Sequence, residues 1–233
     1  MKLQGYRILV AGATGAVGTA LADALYETGA HLCIAGRSAA RLADRACRWG
    51  ECPALRFDAD DLAACAALAE KASQRLQGLD AVFTAFEAVA FGPVPSVGVE
   101  VVEHLMTVNA LAPMAVLRGA LRHLGTGGVM GAITGMVVDR PQPGLAAYCA
   151  SKAALSSWLT AVRAEQRSRG VTVLDVRLPY LDTGCADRAV GGIPPECPPS
   201  ADLCGAVHRI VGAMASGGDV VRPQSHASPQ TVL

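Results

Sequence analysis

Arg7-Ile-Leu-Val-Ala11-Gly12-Ala-Thr14-Gly15-Ala-Val17-Gly18 decides the fold. A short apolar run reads as a buried strand, and the glycines after it end that strand in a tight turn. Ala16 to Thr28 then follows a helical period. A strand, a glycine turn and a helix in this order place backbone N–H groups at a helix N-terminus, where a pyrophosphate can sit. The spacing is G-x-x-G-x-x-G, carried by Gly12, Gly15 and Gly18, with Thr14 and Val17 inside the turn.

Outward from this turn, strands and helices alternate. Strands are expected at His31 to Ala35, Ala54 to Phe57, Ala81 to Thr84, Gly128 to Thr134 and Val171 to Val176. Helices are expected at Arg41 to Trp49, Leu62 to Leu76, Val101 to Leu124 and Ala147 to Arg169, with a break or kink near Pro113. This alternation specifies an α/β fold, a single-domain, Rossmann-like, doubly wound parallel sheet with helices on both faces. The domain is expected over residues 1–221, with a proline- and glycine-rich loop or lid at 184–200 and a frayed tail at 222–233.

Composition narrows the function classes. Hydrophobic residues make up 52% and charged residues 17%, which suits a packed core. Net charge is zero and no basic block occurs, so neither nucleic acid nor an anionic membrane is the expected partner. The apolar runs are short, no secretory signal opens the chain, and no membrane span is expected. The eight cysteines include no C-x-x-C pair and read as free cytosolic thiols, buried or idle, in a cytoplasmic protein. No metal site is read.

Tyr148 and Lys152 stand four apart and stack on one helix face. An ammonium near a phenol favours phenolate, so Lys152 is expected to lower the Tyr148 pKa from about 10 and make it a usable acid or base. Arg37 ends the second strand, and no Asp or Glu lies between His31 and Leu42. An arginine there suits a ribose 2′-phosphate, which favours NADP over NAD.

With the glycine turn, Asn109, Gly144 and the Tyr148–Lys152 pair, the chain resembles the short-chain dehydrogenase/reductase family from Arg7 to about Val221. The resemblance implies that Tyr148 protonates a substrate carbonyl oxygen during hydride delivery. It implies that Lys152 holds the nicotinamide ribose and that Asn109 helps hold a water leading to solvent. It also implies that Asp58 touches the adenine and Thr183 the carboxamide, and that subunits pair through the two long helices as a homodimer or homotetramer.

Departures from the family pattern gather on the reacting half of the cleft. Thr84-Ala85-Phe86-Glu87 stands where Asn-Asn-Ala-Gly is usual, Leu178-Pro179 stands for Pro-Gly, and Gly135 stands at the serine position. Thr134 should point to the opposite sheet face from the site, and Tyr180 and Thr84 are the other hydroxyl candidates. Glu87 reads as a solvated loop acid or an extra general base. The leading expectation is an NADPH-dependent carbonyl reductase or alcohol dehydrogenase acting on a small metabolite, with activity raised by Gly135→Ser. The alternatives are an isomerase, lyase or cyclase using Tyr148 and Lys152, or a silent NADP-binding protein.

Overall fold

Ile8 and Val10 pack into one hydrophobic cluster while Leu9 and Ala11 pack into another, so the first strand feeds both faces of its sheet. The computed structural model describes residues 3–196 and 200–222. Seven strands run parallel: β1 (Arg7–Ala11), β2 (His31–Gly36), β3 (Ala54–Arg56), β4 (Ala81–Thr84), β5 (Val129–Ile133), β6 (Thr172–Val176) and β7 (Val220–Val221). Their spatial order is β3-β2-β1-β4-β5-β6-β7, so the winding reverses between β1 and β4. A crevice at such a reversal, outside the carboxyl ends of the strands, is where sheets of this kind take ligands.

Helices α1 (Ala16–Glu27), α2 (Ala39–Arg48) and α7 (Leu203–Ser216) bring Leu21, Leu25, Leu42 and Ile210 to one face. Helices α3 (Leu62–Leu76), α5 (Ala112–Ala120) and α6 (Ala146–Gln166) bring Leu68, Val116, Leu117 and Leu155 to the other. The expected alternation therefore holds, with boundaries shifted by a few residues. Helix α7 and strand β7 had no place in the sequence expectation. Asp202 caps α7, accepting from the N–H groups of Cys204 and Gly205.

The helix expected at Val101 to Leu124 is α4 (Val99–Met106), a π turn at Thr107–Leu111, and α5. Pro113 brings no N–H to its own turn, and the register slips there so that the Ala112 N–H reaches Thr107 O. By length and composition this run is the one stretch among the described residues apolar enough to cross a membrane. Leu105, Val108, Ala112, Val116 and Leu117 are nonetheless buried against the protein's own core. The expected tail lies outside the described residues, apart from Arg222.

Candidate active site

The glycine turn and the segment after β4 meet at the reversal point. Gly12 has φ +94°, and a Cβ there would lie 2.6 Å from the Ala85 backbone, so only glycine allows this approach. A Cβ on Gly18 would lie 2.1 Å from Gly12 O, which closes the turn against α1. Gly15 is different: its nearest neighbour would be Gly12 O at 3.5 Å, leaving its outer side open. Thr14 lies over the end of β2, 3.0 Å from where a Gly36 Cβ would stand, and Val17, in the first turn of α1, packs against the core.

Arg37 is exposed at the end of β2. Gly36 pairs with Arg56 across β2 and β3, and Arg56 Nε donates to Arg37 O at 3.2 Å. Two guanidiniums thus share this edge, and the second was not read from the sequence because it depends on strand register. Asp58 accepts from the N–H of Asp60 at 3.2 Å as a turn former.

A strap from Ala85 to Gly92 crosses the reacting side. Asn109, fully buried, grips it: Oδ1 accepts from Ala88 N at 2.9 Å and Nδ2 donates to Ala88 O at 2.8 Å. The same Nδ2 donates to Ser151 Oγ at 3.0 Å, and Ser151 Oγ donates to Tyr148 O at 2.7 Å. Val190 N donates to Val89 O, Phe91 N to Gly191 O and Gly92 N to Gly144 O, so the lid and the loop before α6 both clasp the strap. Phe86 turns away to meet Phe57 edge-on, with ring centroids 5.3 Å apart.

Glu87 is thereby placed in the middle of the site. Its Oε2 accepts from Tyr148 Oη at 2.9 Å and lies 2.8 Å from Lys152 Nζ. Its side chain is 31% exposed, whereas Lys152 is buried at 1% and also donates to Ile133 O at 3.1 Å. The expectation of a solvated loop acid is therefore corrected: the carboxylate is the centre of the cluster. Burial alone would push its pKa up. Burial is the largest single effect, but the Lys152 charge and the hydrogen bonds from Lys152, Tyr148 and Cys185 together outweigh it and hold Glu87 below the usual carboxylate value.

The expected lowering of the Tyr148 pKa is corrected too. Burial and then the Glu87 charge hold the phenol well above 10, because the Lys152 ammonium is spent on the carboxylate and stands 5.6 Å from the Tyr148 ring centroid. Cys185 hydrogen-bonds Glu87, and burial, and then Glu87, push its thiol to about 12, which keeps it protonated at neutral pH. Cys33, Cys52, Cys65 and Cys149 are free and buried, and Cys47 and Cys204 are free and exposed, while Cys197 lies outside the described residues. Among the described residues no group of His, Cys, Asp and Glu is arranged to hold a metal.

Gly135 has φ +82° and ψ 159°, a region that is close to glycine-only. A Cβ there would meet nothing closer than Val137 Cγ2 at 3.7 Å, so space exists, but a serine would be strained by the backbone itself. Thr134 follows the end of β5, and its hydroxyl donates to Asp175 Oδ1. Asp175, 1% exposed, also accepts from Ser156 Oγ at 2.6 Å and pairs with Arg177, which in turn pairs with Asp139 beyond Gly135. This buried network fixes both sides of the Gly135 turn. Thr84 is buried at 3% in β4. Tyr180 O accepts from Ala201 N at 3.1 Å, and Thr183 O accepts from Arg188, so both lie on the lid side.

Residues 6–190 match the short chain dehydrogenase family, and the chain belongs to it. An uncharacterized oxidoreductase of Methylorubrum extorquens is 28% identical over 187 residues, covering 78% of this chain and 75% of that one. A 2-(S)-hydroxypropyl-CoM dehydrogenase of Xanthobacter autotrophicus is 31% identical over 186 residues, covering 74% and 70%. A short chain dehydrogenase from Burkholderia cenocepacia, solved in complex with NADP, shares the fold with TM-score 0.83 at 22% identity over 95% and 98% of the two chains. The chain is accordingly that of an oxidoreductase family member.

Proposed function

We propose that the protein is an NADP(H)-dependent oxidoreductase that transfers hydride to or from a small, largely apolar metabolite. The observation that carries this reading is the contact of the Gly12 turn with the strap bearing Glu87, which brings a pyrophosphate-type turn and the Tyr148–Lys152 pair to one crevice. When bound, the nicotinamide supplies the hydride chemistry. The turn formed by Gly12, Thr14, Gly15, Val17 and Gly18 offers its N–H groups to the pyrophosphate, and the open outer side of Gly15 leaves room for it. Arg37, buttressed through its carbonyl by Arg56, supplies charge and planar donors for a 2′-phosphate. Asp58 and Thr183 flank the adenine and carboxamide ends.

Lys152 is assigned to the ribose. Its ammonium has three donors, of which Glu87 and Ile133 O take two. Tyr148 is the residue assigned to touch the reacting heteroatom. An apolar cavity of about 220 Å³, walled by Ala90, Val94, Val97, Val102, Leu145 and Ala147, lies between the strap and the start of α6 and suits the body of a small substrate. We assign the protein to the cytosol, as its free thiols suggest, and to a homodimer or homotetramer through α4–α5 and α6.

Calorimetric titration with NADPH and NADH tests the reading. NADPH is expected to bind the tighter of the two, by roughly tenfold or more for a charge-paired phosphate. Binding of neither would overturn it and turn attention to proton-transfer chemistry at Tyr148.

A further inference from the structure

A tyrosine hydroxyl has one proton, and an ionised carboxylate only accepts. The Tyr148 proton is directed at Glu87 Oε2, so what Tyr148 and Glu87 turn toward the cleft is a set of lone pairs. Gly135 adds no donor, and the Thr134 hydroxyl is committed to Asp175 beneath α6. A carbonyl oxygen, which gains negative charge as hydride arrives, finds no hydroxyl proton aimed at it from Tyr148, Gly135 or Thr134 and a carboxylate beside it, while the Lys152 ammonium is paired with that carboxylate and with Ile133 O. The donors that an oxyanion site needs are turned onto Glu87 instead.

From this geometry we propose that the protein acts on the carbon–nitrogen redox couple, a small secondary amine and its iminium ion, with Glu87 as the residue that selects the cation. The inference rests on the oxidoreductase reading above. An iminium is positive before hydride arrives and neutral afterwards, so it needs no donor at the reacting atom. Its N–H⁺ is itself a donor and fits the lone pairs of Tyr148 and Glu87. Hydride from the reduced nicotinamide forms the new C–H bond, the C=N π pair moves onto nitrogen, and the neutral amine then takes its proton from water. In reverse, hydride leaves the carbon next to an unprotonated amine, and Glu87 faces the cation that forms. The raised Tyr148 pKa and lowered Glu87 pKa make this pair a weak acid and a weak base, which suits a step that needs neither. The 31% of the Glu87 side chain left open is the surface available to such a cation.

The test compares bicyclic probes of nearly equal shape on the full chain. With NADPH, turnover of dihydroisoquinolinium is expected to exceed that of tetralone by about 10² or more in kcat/KM. Independently of turnover, calorimetry is expected to show tetrahydroisoquinolinium binding more tightly than the neutral ether isochroman. Glu87→Gln should reduce the ammonium affinity by roughly tenfold or more, with isochroman reporting an intact pocket. Preference for tetralone in protein that binds NADPH would overturn the inference and leave the oxidoreductase reading standing. Equal affinity of wild-type protein for the ammonium and the ether would also overturn it, whether or not the variant folds. Failure to bind NADPH would overturn that reading and this inference with it.

Discussion

Asn109 holds Ala88 by both of its backbone groups, at 2.9 and 2.8 Å, and so fixes the carboxylate one residue earlier. The amide does for a loop what a neighbouring strand would do. Its place in a π turn inside a buried helix gives it a rigid base. In this chain Asn109 acts as a positioning residue for Glu87.

Replacing Asn109 by Ala strands two backbone groups of Ala88 and the Ser151 hydroxyl. A loss of about 1–3 kcal/mol per unsatisfied group is expected from denaturant midpoints. Asn109→Asp keeps the acceptor for Ala88 N but loses the donor to Ala88 O and Ser151, so it should fall between. A variant as stable as wild type would show that the strap is held by the lid and the Gly144 loop instead.

Acid should weaken the fold through Glu87. A carboxyl held below its ordinary value contributes stability that is present above that value and lost as pH falls through the folded one. The acid limb of stability against pH should therefore be steeper in wild type than in Glu87→Gln. The alkaline side carries the opposite sign. Tyr148 has its folded value raised, so its contribution is full below about 10 and disappears as pH rises through the folded value. Tyrosinate absorbance should show a late-titrating tyrosine that shifts to lower pH in Glu87→Gln.

Arg37→Ala should weaken NADPH binding by about 10- to 100-fold and leave NADH nearly untouched. Arg56→Ala should give a smaller loss in the same direction, since its Nε steadies the Arg37 carbonyl. Calorimetry reads both. Equal loss for the two cofactors would place the arginines elsewhere on the adenosine.

Gly135→Ser should destabilise the protein by about 1–3 kcal/mol without raising turnover, because φ +82° and ψ 159° strain any side chain. The sequence alone favoured a gain. Thermal melts beside a carbonyl assay separate the two outcomes.

Gly18→Ala should be much worse than Gly15→Ala. The first puts a methyl 2.1 Å from Gly12 O, whereas the second leaves 3.5 Å. Urea titration should place Gly15→Ala within about 1 kcal/mol of wild type and show Gly18→Ala to be severely destabilised. If Gly15→Ala also abolishes NADPH binding, its open side faces the phosphates.

Much of this was legible in one dimension. The continuous apolar run of β1 and the glycine turn are local signals, and they carried the sheet, its crossovers and the crevice. What could not be read was set by pairing at long range. Glu87 and Tyr148 are far apart in sequence, and nothing near Glu87 says that Lys152 will reach it. The electrostatic sign of the site was therefore misjudged from the helix that carries Tyr148 and Lys152. Arg56 joins Arg37 through the β2–β3 register, which no local pattern states. Helix α7 was passed over because it follows a proline-rich stretch whose composition masked a well-capped start at Asp202.

The turn at Gly135 also works as a ratchet. One substitution suffices to exchange a serine for a glycine, but once the backbone has settled into a conformation that side chains reject, the reverse step is no longer its mirror image. Asp175, Arg177 and Asp139 brace that conformation from behind. A descendant or a designer wanting a hydroxyl at this spot must unpick the brace and the turn together. The nearer path is to recruit a donor from the lid, and variation selected for new chemistry should accumulate there first.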